Sequence, residues 1–389
     1  MSETDTLERP KAKDAPQASS AVTIDRDRLL AAVRTVGQVV EARNTIPILS
    51  NLLLVADADV LRISGTDLNM MVTVEAPCST AGGLATTVAE ATLKGAIDTL
   101  RPGAVELFFD DADRRLVLKQ GRAIRRLPTI PADDFPPLSL DGADAEFELP
   151  AGDLLAILAP PSVSMSTEEK VRSYLCGVFL HIVDGRTLVA DATDGFGMVR
   201  VQAPLPAGAA NLPDVILSRK TINIVKRLLD AGERSVKVRA SETKVAFAIG
   251  ELTLTAKVVE GTFPDIGRVI PQANGSVLRV HGAELRRCIT AAAALAQSSG
   301  SARGIRLKLS REDCQTRITS PEAAVVDPLD GDFDAEPIEV GLNSRLAIPL
   351  IQIFGDTAQL EVRLQDPATP ILFTSPDKPA ITAVLMTMR

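Results

Sequence analysis

The feature that most constrains this chain is a strand–turn–strand pattern that occurs twice, a whole domain apart. The stretches LRISGTDLNMMVTV (61–74) and LVADATDGFGMVRV (188–201) each alternate apolar and polar residues, break at a Thr-Asp pair and resume the alternation. Alternation of period two predicts half-buried strands, and the polar break predicts a turn between them. Because Thr66 and Thr193 are 127 positions apart, we predict the same hairpin in two tandem domains.

Other landmarks repeat at nearly the same interval. Phe135 and Phe263 each stand in a Phe-Pro pair after a strand-like run, and they are 128 positions apart. Ala89, Ser218 and Asn343 each precede an amphipathic helical pattern, and they step by 129 and then 125 positions. The third helical start indicates that the chain holds three repeats.

A second kind of helix opens each repeat after a short strand. Its three copies are IDRDRLLAAVRTVGQVV (24–40), LPAGDLLAILAP (149–160) and VHGAELRRCITAAAALAQ (280–297). The third copy of the Thr-Asp strand pair is blurred into TRITSPEAAVVDPL (316–329). We therefore expect every repeat to run strand, helix, several strands, helix, several strands.

The predicted fold class is α+β, with three tandem copies of one domain. The period is far longer than that of a solenoid repeat, so each copy can bury its own core. Alternating strands predict antiparallel sheets with one solvated face and helices on the other. The predicted boundaries are a disordered N-terminal extension over 1–20 and domains over 21–143, 144–271 and 272–389.

Composition narrows the class of protein. A net charge of −8 argues by itself against nucleic-acid binding. Isolated cysteines without a CxxC pair predict reduced thiols in a cytoplasm instead of disulfides or a zinc site. The sequence offers no apolar run of the roughly 20 residues that span a bilayer, no signal-peptide core, and no pattern for a metal or cofactor.

The distribution of charge is more informative than its total. The six predicted helices are 25–40, 90–101, 152–159, 218–230, 283–297 and 344–354. They carry twelve basic and seven acidic residues, a net charge of +5. Because the whole chain has a net charge of −8, the residues outside the helices have a net charge of −13. Basic residues are good helix formers on any solvated face, which is one interpretation. The other is that all six helices face a polyanion whose phosphates are contacted without reading bases.

An enzyme is the main rival class. Ser241 and Lys244 have the SxxK spacing of a penicillin-binding nucleophile, but that motif needs the serine at a helix start. The surrounding VKVRASETKVAFAIG predicts a hairpin turn between two strands. The two histidines, His181 and His281, lie in strand-like contexts and cannot build a triad or a metal site. We therefore expect no catalytic residues.

At this point the residues resemble a known family, the bacterial DNA polymerase III β subunit or sliding clamp, from about residue 22 to the C-terminus. The matching pieces are ARNTIPILSNLLL (42–54), GTDLNMMV (65–72), ATTVAEATLKGAIDTL (85–100), LPTIPADDFPPL (127–138), RSYLCGVFL (172–180), ATDGFGMV (192–199), SRKTINIVKRLL (218–229), GTFPDIGRVIP (261–271) and RGIRL (303–307). The resemblance implies a head-to-tail homodimeric ring. Its twelve helices would line a hole around double-stranded DNA, and its sheets would form the outer wall. Such a ring has no catalysis of its own and tethers DNA polymerase for processive synthesis.

The resemblance also implies DNA-contacting residues. Arg43, Arg172 and Tyr174 stand at positions where the family touches DNA. The basic residues of the later helices are expected to face phosphates as well: Arg219, Lys220, Lys226, Arg227, Arg286 and Arg287. Without the resemblance, each of these would be interpreted as an ordinary solvated charge.

The family's partner site is an apolar groove between its second and third domains, which takes short peptides from the polymerase III α subunit and the clamp loader. Carried over, its wall is Leu175, Thr193, Gly195, Phe196, Gly197, Met198, Pro264, Arg268, Val269, Asn343, Leu346, Pro370, Val384, Met386, Thr387, Met388 and Arg389. Methionine and branched aliphatics suit an adaptable groove, although they are also ordinary core residues. The family commonly has His-Arg in place of Phe196-Gly197, proline in place of Thr387 and an aromatic in place of Leu346, so peptide preference is expected to differ.

The ring closure is expected to differ too. The family often places a phenylalanine at the position of Arg125 and bulky apolar partners near Ala296 and Gln297. Here GRAIRRL (121–127) is basic and SPEAAVVDPLDGDFDAE (320–336) is acidic. We predict that Arg122, Arg125 and Arg126 of one copy face Glu322, Asp327 or their neighbours in the other. A divergent clamp that serves repair or phage and plasmid replication is the alternative function.

Overall fold

The computed structural model describes residues 21–41, 45–229, 234–272, 275–298, 304–319 and 324–388, without the side chains of 295–298, 319 and 324. The chain divides into two compact units. The first comprises the residues up to 138 together with 251–253, and the second comprises 139–250 and 254–389.

The first unit is one antiparallel sheet with two helices. Its strands are β1 (Ala21–Asp25), β2 (Asn51–Asp57), β3 (Val60–Thr66), β4 (Met70–Pro77), β5 (Ser79–Thr80), β6 (Leu84–Ala89), β7 (Ala104–Asp110), β8 (Arg115–Gln120) and β9 (Ala123–Ile130), and its helices are α1 (Arg26–Val36) and α2 (Glu90–Asp98). The strands lie in the order β5-β1-β7-β8-β9-β6-β2-β3-β4. Each helix has a buried apolar face, formed for example by Leu29 and Val33 in α1 and by Leu93 and Ile97 in α2.

The second unit repeats this plan twice. Its strands are β10 (Ala145–Pro150), β11 (Gly177–Val183), β12 (Thr187–Thr193), β13 (Gly197–Pro204), β14 (Val215–Ser218), β15 (Ser235–Ala240), β16 (Lys244–Ile249), β17 (Leu252–Lys257), β18 (Ser276–His281), β19 (Gly304–Leu309), β20 (Cys314–Thr319), β21 (Ala324–Pro328), β22 (Gly331–Phe333), β23 (Ile338–Asn343), β24 (Gln359–Leu364), β25 (Ile371–Thr374) and β26 (Ile381–Leu385). Its helices are α3 (Ala151–Leu158), α4 (Arg219–Leu228), α5 (Gly282–Ser298) and α6 (Ser344–Gln352). The strands form the orders β10-β15-β16-β17, β14-β11-β12-β13-β26-β25-β24-β18-β22 and β21-β20-β19-β23.

The order of elements confirms the predicted repeat. Each third of the chain runs strand, helix, several strands, helix, three strands, and the six helices found among the described residues fall on the six predicted segments. The sheets are antiparallel throughout the pairings described. The strand β13 pairs with β26, so the second and third copies share one continuous sheet.

The first Thr-Asp turn closes the hairpin of β3 and β4 through its own side chains. The Thr66 hydroxyl donates to the carbonyl of Met70 at 2.7 Å and accepts the backbone N–H of Leu68 at 3.1 Å. The Asp67 carboxylate accepts the N–H of Met70 at 2.8 Å. Leu68 takes a left-handed backbone conformation, with φ of 74°.

The second Thr-Asp turn, between β12 and β13, has the same hydrogen bonds. The Thr193 hydroxyl donates to the carbonyl of Gly197 at 2.8 Å and accepts the N–H of Gly195 at 3.1 Å. The Asp194 carboxylate accepts the N–H of Gly197 at 2.8 Å. The Thr-Asp pair recurs because short polar side chains can satisfy the backbone of a turn locally.

Two further sequence predictions are confirmed locally. The blurred third copy is the antiparallel pair β20 and β21, in which Thr316 lies opposite Asp327. Ser241 and Lys244 form a hairpin turn between β15 and β16, where the Ser241 hydroxyl accepts the N–H of Lys244 at 3.1 Å. The SxxK spacing is therefore a turn and not the start of a helix. Among the described helices, none is long and apolar enough to cross a membrane.

Candidate protein-binding groove and helix surfaces

An apolar groove of about 190 Å³ lies in the second unit. One side is the turn between β12 and β13, and the opposite side is the segment 264–269, which ends in a 3-10 helix (Ile266–Val269). The lining residues are Leu175, Thr193, Gly195, Phe196, Gly197, Met198, Pro264, Asp265, Ile266, Val269, Val384 and Met386.

The groove has a buried floor and an exposed rim. Leu175, Met198 and Val384 belong to one hydrophobic cluster and are at most 5 % exposed. On the rim, Phe196 is 64 % exposed and Met386 is 40 % exposed. Large apolar side chains held open to solvent around a buried apolar floor are typical of a protein-binding surface.

The backbone of the turn fixes Phe196 at the rim. Gly195 has φ of 91°, in the left-handed region that glycine adopts without steric cost. The Asp194 carboxylate accepts the N–H of Phe196 at 2.8 Å, and the Phe196 carbonyl accepts the N–H of Met386 at 2.8 Å. Because both backbone groups of Phe196 are bonded, its ring is presented from a defined position.

The opposite wall is held by a carboxylate cap. The Asp265 carboxylate accepts the N–H of Gly267 at 3.1 Å and pairs with the Arg268 guanidinium at 2.9 Å. The cap closes the 3-10 helix so that Pro264, Ile266 and Val269 point to the groove.

Ten of the seventeen residues predicted for the groove line it. The ten are Leu175, Thr193, Gly195, Phe196, Gly197, Met198, Pro264, Val269, Val384 and Met386. Six others, Arg268, Asn343, Leu346, Pro370, Thr387 and Met388, are not among the lining residues, and Arg389 lies outside the described residues. The assignment of the groove itself stays a prediction.

The C-terminal segment leads from the groove to the start of α6. Met386 bonds to Phe196, and the N–H of Met388 donates to the carbonyl of Gly341 at 2.8 Å. Two residues after Gly341, Asn343 caps α6 by accepting the N–H of Arg345 at 3.0 Å. Two of the predicted residues that do not line the groove, Thr387 and Met388, therefore continue along the same C-terminal segment.

Two lining residues, Asp265 and Ile266, were not predicted from the sequence. The stretch PDIG carries a signal for them, since an aspartate two residues before a glycine is a typical cap of a tight turn. That signal predicts the turn but not the surface it faces.

The helix α4 presents a basic face to solvent. Lys220, Lys226 and Arg227 are exposed, while Ile222 and Val225 are buried. The Lys226 ammonium lies 3.1 Å from the Ser162 hydroxyl.

Arg219, at the first turn of the same helix, is engaged within the protein. Its guanidinium donates to the backbone carbonyls of Met165, at 2.8 Å, and Ser166. This contact anchors the segment before the predicted DNA-contacting loop. The Arg219 guanidinium is therefore less available to phosphates than the exposed groups of α4.

The two basic residues of α5 are paired with acids. Arg286 lies 2.7 Å from Asp356, and Arg287 lies 2.7 Å from Glu284. The hydrogen bond from Arg287 lowers the pKa of Glu284 to about 2 and raises the pKa of Arg287. Burial, followed by the charge of Glu284, raises the pKa of the neighbouring Cys288 thiol to about 12, which makes it unreactive.

Two of the remaining predicted DNA contacts, Arg172 and Tyr174, lie next to the groove. Arg172 is exposed, and its Nη1 lies 3.6 Å from where a Cβ on Gly195 would stand, so Arg172 borders the groove. Tyr174 is half-buried against the hydrophobic cluster beneath the groove. Arg43 lies outside the described residues.

The predicted ring-closure residues whose side chains are described lie on or next to two strands. Arg122, Arg125 and Arg126 are on or next to β9, and the Arg125 Nε lies 3.4 Å from the Thr99 hydroxyl at the end of α2. Asp327 is on β21, which ends its sheet within the described part of the chain. The side chains of Ala296 and Gln297, and all of Glu322, lie outside the described residues.

Comparison with known proteins gives one consistent result. Models of the N-terminal, central and C-terminal domains of the DNA polymerase III beta subunit match residues 20–139, 148–265 and 267–389. The beta sliding clamp of Caulobacter vibrioides is 37 % identical over 377 residues, which cover 95 % of this chain and 99 % of that protein.

Solved structures agree. The Caulobacter crescentus beta sliding clamp, crystallised with polyethylene glycol bound to its proposed β-motif tethering region, has a TM-score of 0.89 at 35 % identity, covering 96 % of this chain and 100 % of that one. The Bartonella birtlesii sliding clamp bound to griselimycin has a TM-score of 0.87 at 29 % identity, covering 95 % of this chain and 99 % of that one.

Proposed function

This chain belongs to the DNA polymerase III beta subunit family and functions as a non-catalytic DNA sliding clamp, and on that premise we propose that its groove binds short apolar peptides. The peptides would come from the polymerase III α subunit and the clamp loader. The supporting observation is a half-open apolar cleft whose rim carries Phe196, Val269 and Met386, each at least 40 % exposed. Aromatic and methionine side chains over a buried floor suit an adaptable peptide site.

A peptide-binding experiment tests the groove. A fluorescein-labelled peptide of the polymerase III α subunit, carrying its clamp-binding segment, is titrated with the purified clamp and followed by anisotropy. Griselimycin, which is bound to the Bartonella birtlesii relative, serves as a second probe in competition. Saturable binding that is lost on substitution of Met386 by aspartate supports the proposal. Equal affinity in this variant and in the wild type would place the peptide elsewhere.

The helices are proposed to face duplex DNA inside a ring of two copies. Support comes from Lys220, Lys226 and Arg227 of α4, which are basic and exposed. Contacts to phosphates carry no sequence information and exchange with water, so a ring held by topology can slide. Tethering then raises the effective concentration of polymerase at its template.

Topology gives a sharp test of the ring. The clamp is loaded by its clamp loader on nicked circular DNA, isolated on the DNA, and the circle is then cut with a restriction enzyme. Release on linearisation, with retention on the uncut circle, is the expected result. A protein that stays on linear DNA as firmly as on the circle would be an ordinary DNA binder.

The seam of the ring is proposed to join two strand edges from different copies. In the first unit, β9 pairs with β8 along its length and with β6 at Thr129 and Ile130. In the second unit, β21 is the last strand of its sheet within the described residues. Unpaired strand edges add a partner strand through backbone hydrogen bonds. The Arg122, Arg125 and Arg126 edge is basic, and the Glu322 and Asp327 edge is acidic.

The same two edges also carry exposed apolar residues. Ile124 on β9 is 47 % exposed and Val326 on β21 is 54 % exposed. An Ile124–Val326 contact between copies would supply an apolar part of the seam that salt does not screen.

We place the protein in the cytoplasm, where its four free cysteines stay reduced. The match of 95 % of this chain to a curated beta sliding clamp disfavours a specialised repair or phage role.

A further inference from the structure

A buried ionic network lies directly behind one wall of the groove. Asp191 on β12 is 1 % exposed. Arg200, opposite it on β13, donates from Nε and Nη2 to its two oxygens at 2.9 and 2.8 Å. His181 on the next strand, β11, has its Nε2 3.0 Å from the same carboxylate, and its ring stacks on Phe179 with centroids 4.5 Å apart.

Stability alone does not account for this network. A buried ion pair is often matched or exceeded by apolar residues of similar volume, because both charges lose their hydration. On the same face of the sheet, the neighbouring pairs of these two strands are Val189 with Gln202 and Thr193 with Met198, and neither pair carries a charge. The charged pair therefore calls for a second role of Arg200.

The far edge of the Arg200 guanidinium reaches the groove wall. Its Nη1 and Nη2 lie 3.7 and 4.0 Å from the position that a Cβ on Gly267 would occupy. The Asp265 carboxylate is 3.2 Å from that same position. The hydrogen bond to Asp191 raises the pKa of Arg200 and outweighs burial, which lowers it. The charge of Asp265 raises the pKa further.

The wall that Arg200 supports is weak by itself. It is a single 3-10 helix (Ile266–Val269) capped by Asp265, and short 3-10 helices have poorer hydrogen-bond geometry than α-helices. One side of the turn carries Ile266 and Val269 into the groove, and Gly267 is apposed to Arg200.

We infer that Arg200 is a positioning residue of the groove. Its guanidinium, oriented by buried Asp191, holds the Asp265–Val269 turn at the distance from the β12–β13 turn at which both can contact one peptide. This inference rests on the proposed peptide-binding function. Arginine is suited to the role because its planar fork binds the Asp191 carboxylate with two bonds and keeps a free edge for Asp265.

The test combines affinity with local exchange. Arg200→Met is compared with Arg200→Lys. Because Arg200→Met leaves the buried Asp191 carboxylate without its arginine, the double variant Asp191→Asn/Arg200→Met is used if the single variant does not fold. The labelled α-subunit peptide reports Kd, and hydrogen exchange followed by mass spectrometry reports protection of residues 264–269 and of β12–β13 separately. We expect Kd to rise about fivefold in the methionine variants, with partial recovery in lysine. Faster exchange should be confined to 264–269.

A double-mutant cycle identifies the route. Asp265→Asn alone should raise Kd. The double variant Asp265→Asn/Arg200→Met should raise Kd by less than the product of the two single fold-changes, because both residues act on one turn. An unchanged Kd in the Arg200 variants would overturn the inference. So would faster exchange across β12–β13, since Arg200 would then be merely structural. If the wild type binds no peptide, the proposed function fails first, which is a distinguishable result.

Discussion

Removing the Phe196 ring should weaken peptide binding by about one order of magnitude. A phenylalanine has about 200 Å² of side-chain surface to bury. At 64 % exposure, about 130 Å² of it is available to a partner. A peptide lying in the groove can cover about half of that area, or about 65 Å², and at about 25 cal/mol per Å² this contributes about 1.6 kcal/mol. Phe196→Ala should therefore raise Kd about 15-fold.

The assay is anisotropy with the labelled α-subunit peptide, and the matched control is Val171→Ala. Val171 is 77 % exposed and lies outside the groove lining, so its loss should leave Kd within twofold. Both variants should melt at the wild-type temperature, because neither side chain is buried. If Phe196→Ala changes Kd no more than the control does, the rim does not contact the peptide.

Three other outcomes are expected. The dimer should dissociate more readily as salt rises, since Arg125 and Asp327 would attract each other across the seam, and equal sedimentation at low and high salt would refute the charged seam. Glu284→Gln should lower the melting temperature near neutral pH. Because the native pKa of Glu284 is about 2, below the usual value of 4.5, its contribution is present above pH 4.5 and is lost as pH falls towards 2. Calorimetry should therefore show the two proteins converging over that range, and a gap that persists at pH 2 would contradict it. Lys226→Glu/Arg227→Glu should weaken the binding of the unloaded clamp to a short linear duplex relative to Glu312→Gln and reduce the salt dependence of that binding; an unchanged affinity would remove α4 from the DNA surface.

The repeat, the hairpins and the helices were predictable because neighbouring residues determine them. The Thr66–Asp67 and Thr193–Asp194 side chains bond to backbone groups at most four residues away. Such contacts are visible as a pattern in the sequence without knowledge of the fold. The same holds for the Ser241–Lys244 turn, whose bonds span three residues.

The groove was not predictable from pattern, because its walls come from distant parts of the chain. Leu175, Ile266 and Val384 are buried in one cluster but are separated by about a hundred residues each. The resemblance to a family supplied Leu175 and Val384 but not Ile266. Ion pairs behave likewise. Asp356, which pairs with Arg286, is seventy positions away, so a helix that counts as basic in sequence is partly neutralised in the fold.

The two Thr-Asp turns show how one hairpin could gain a binding surface while the other remained structural. Both turns require a left-handed residue two positions after the threonine, and the first copy fills it with Leu68 at φ of 74°. The second copy fills it with Gly195, which adopts the same region without a Cβ penalty. The next residue in the second copy is Phe196, where the first copy has Asn69. Because the hydrogen bonds come from the threonine and the aspartate, the two tip residues can change without loss of the turn. The first tip residue must adopt the left-handed region, but the second tip residue is free to vary. In the copy whose turn is bonded to the C-terminal segment through Met386, an aromatic second tip residue can face a partner.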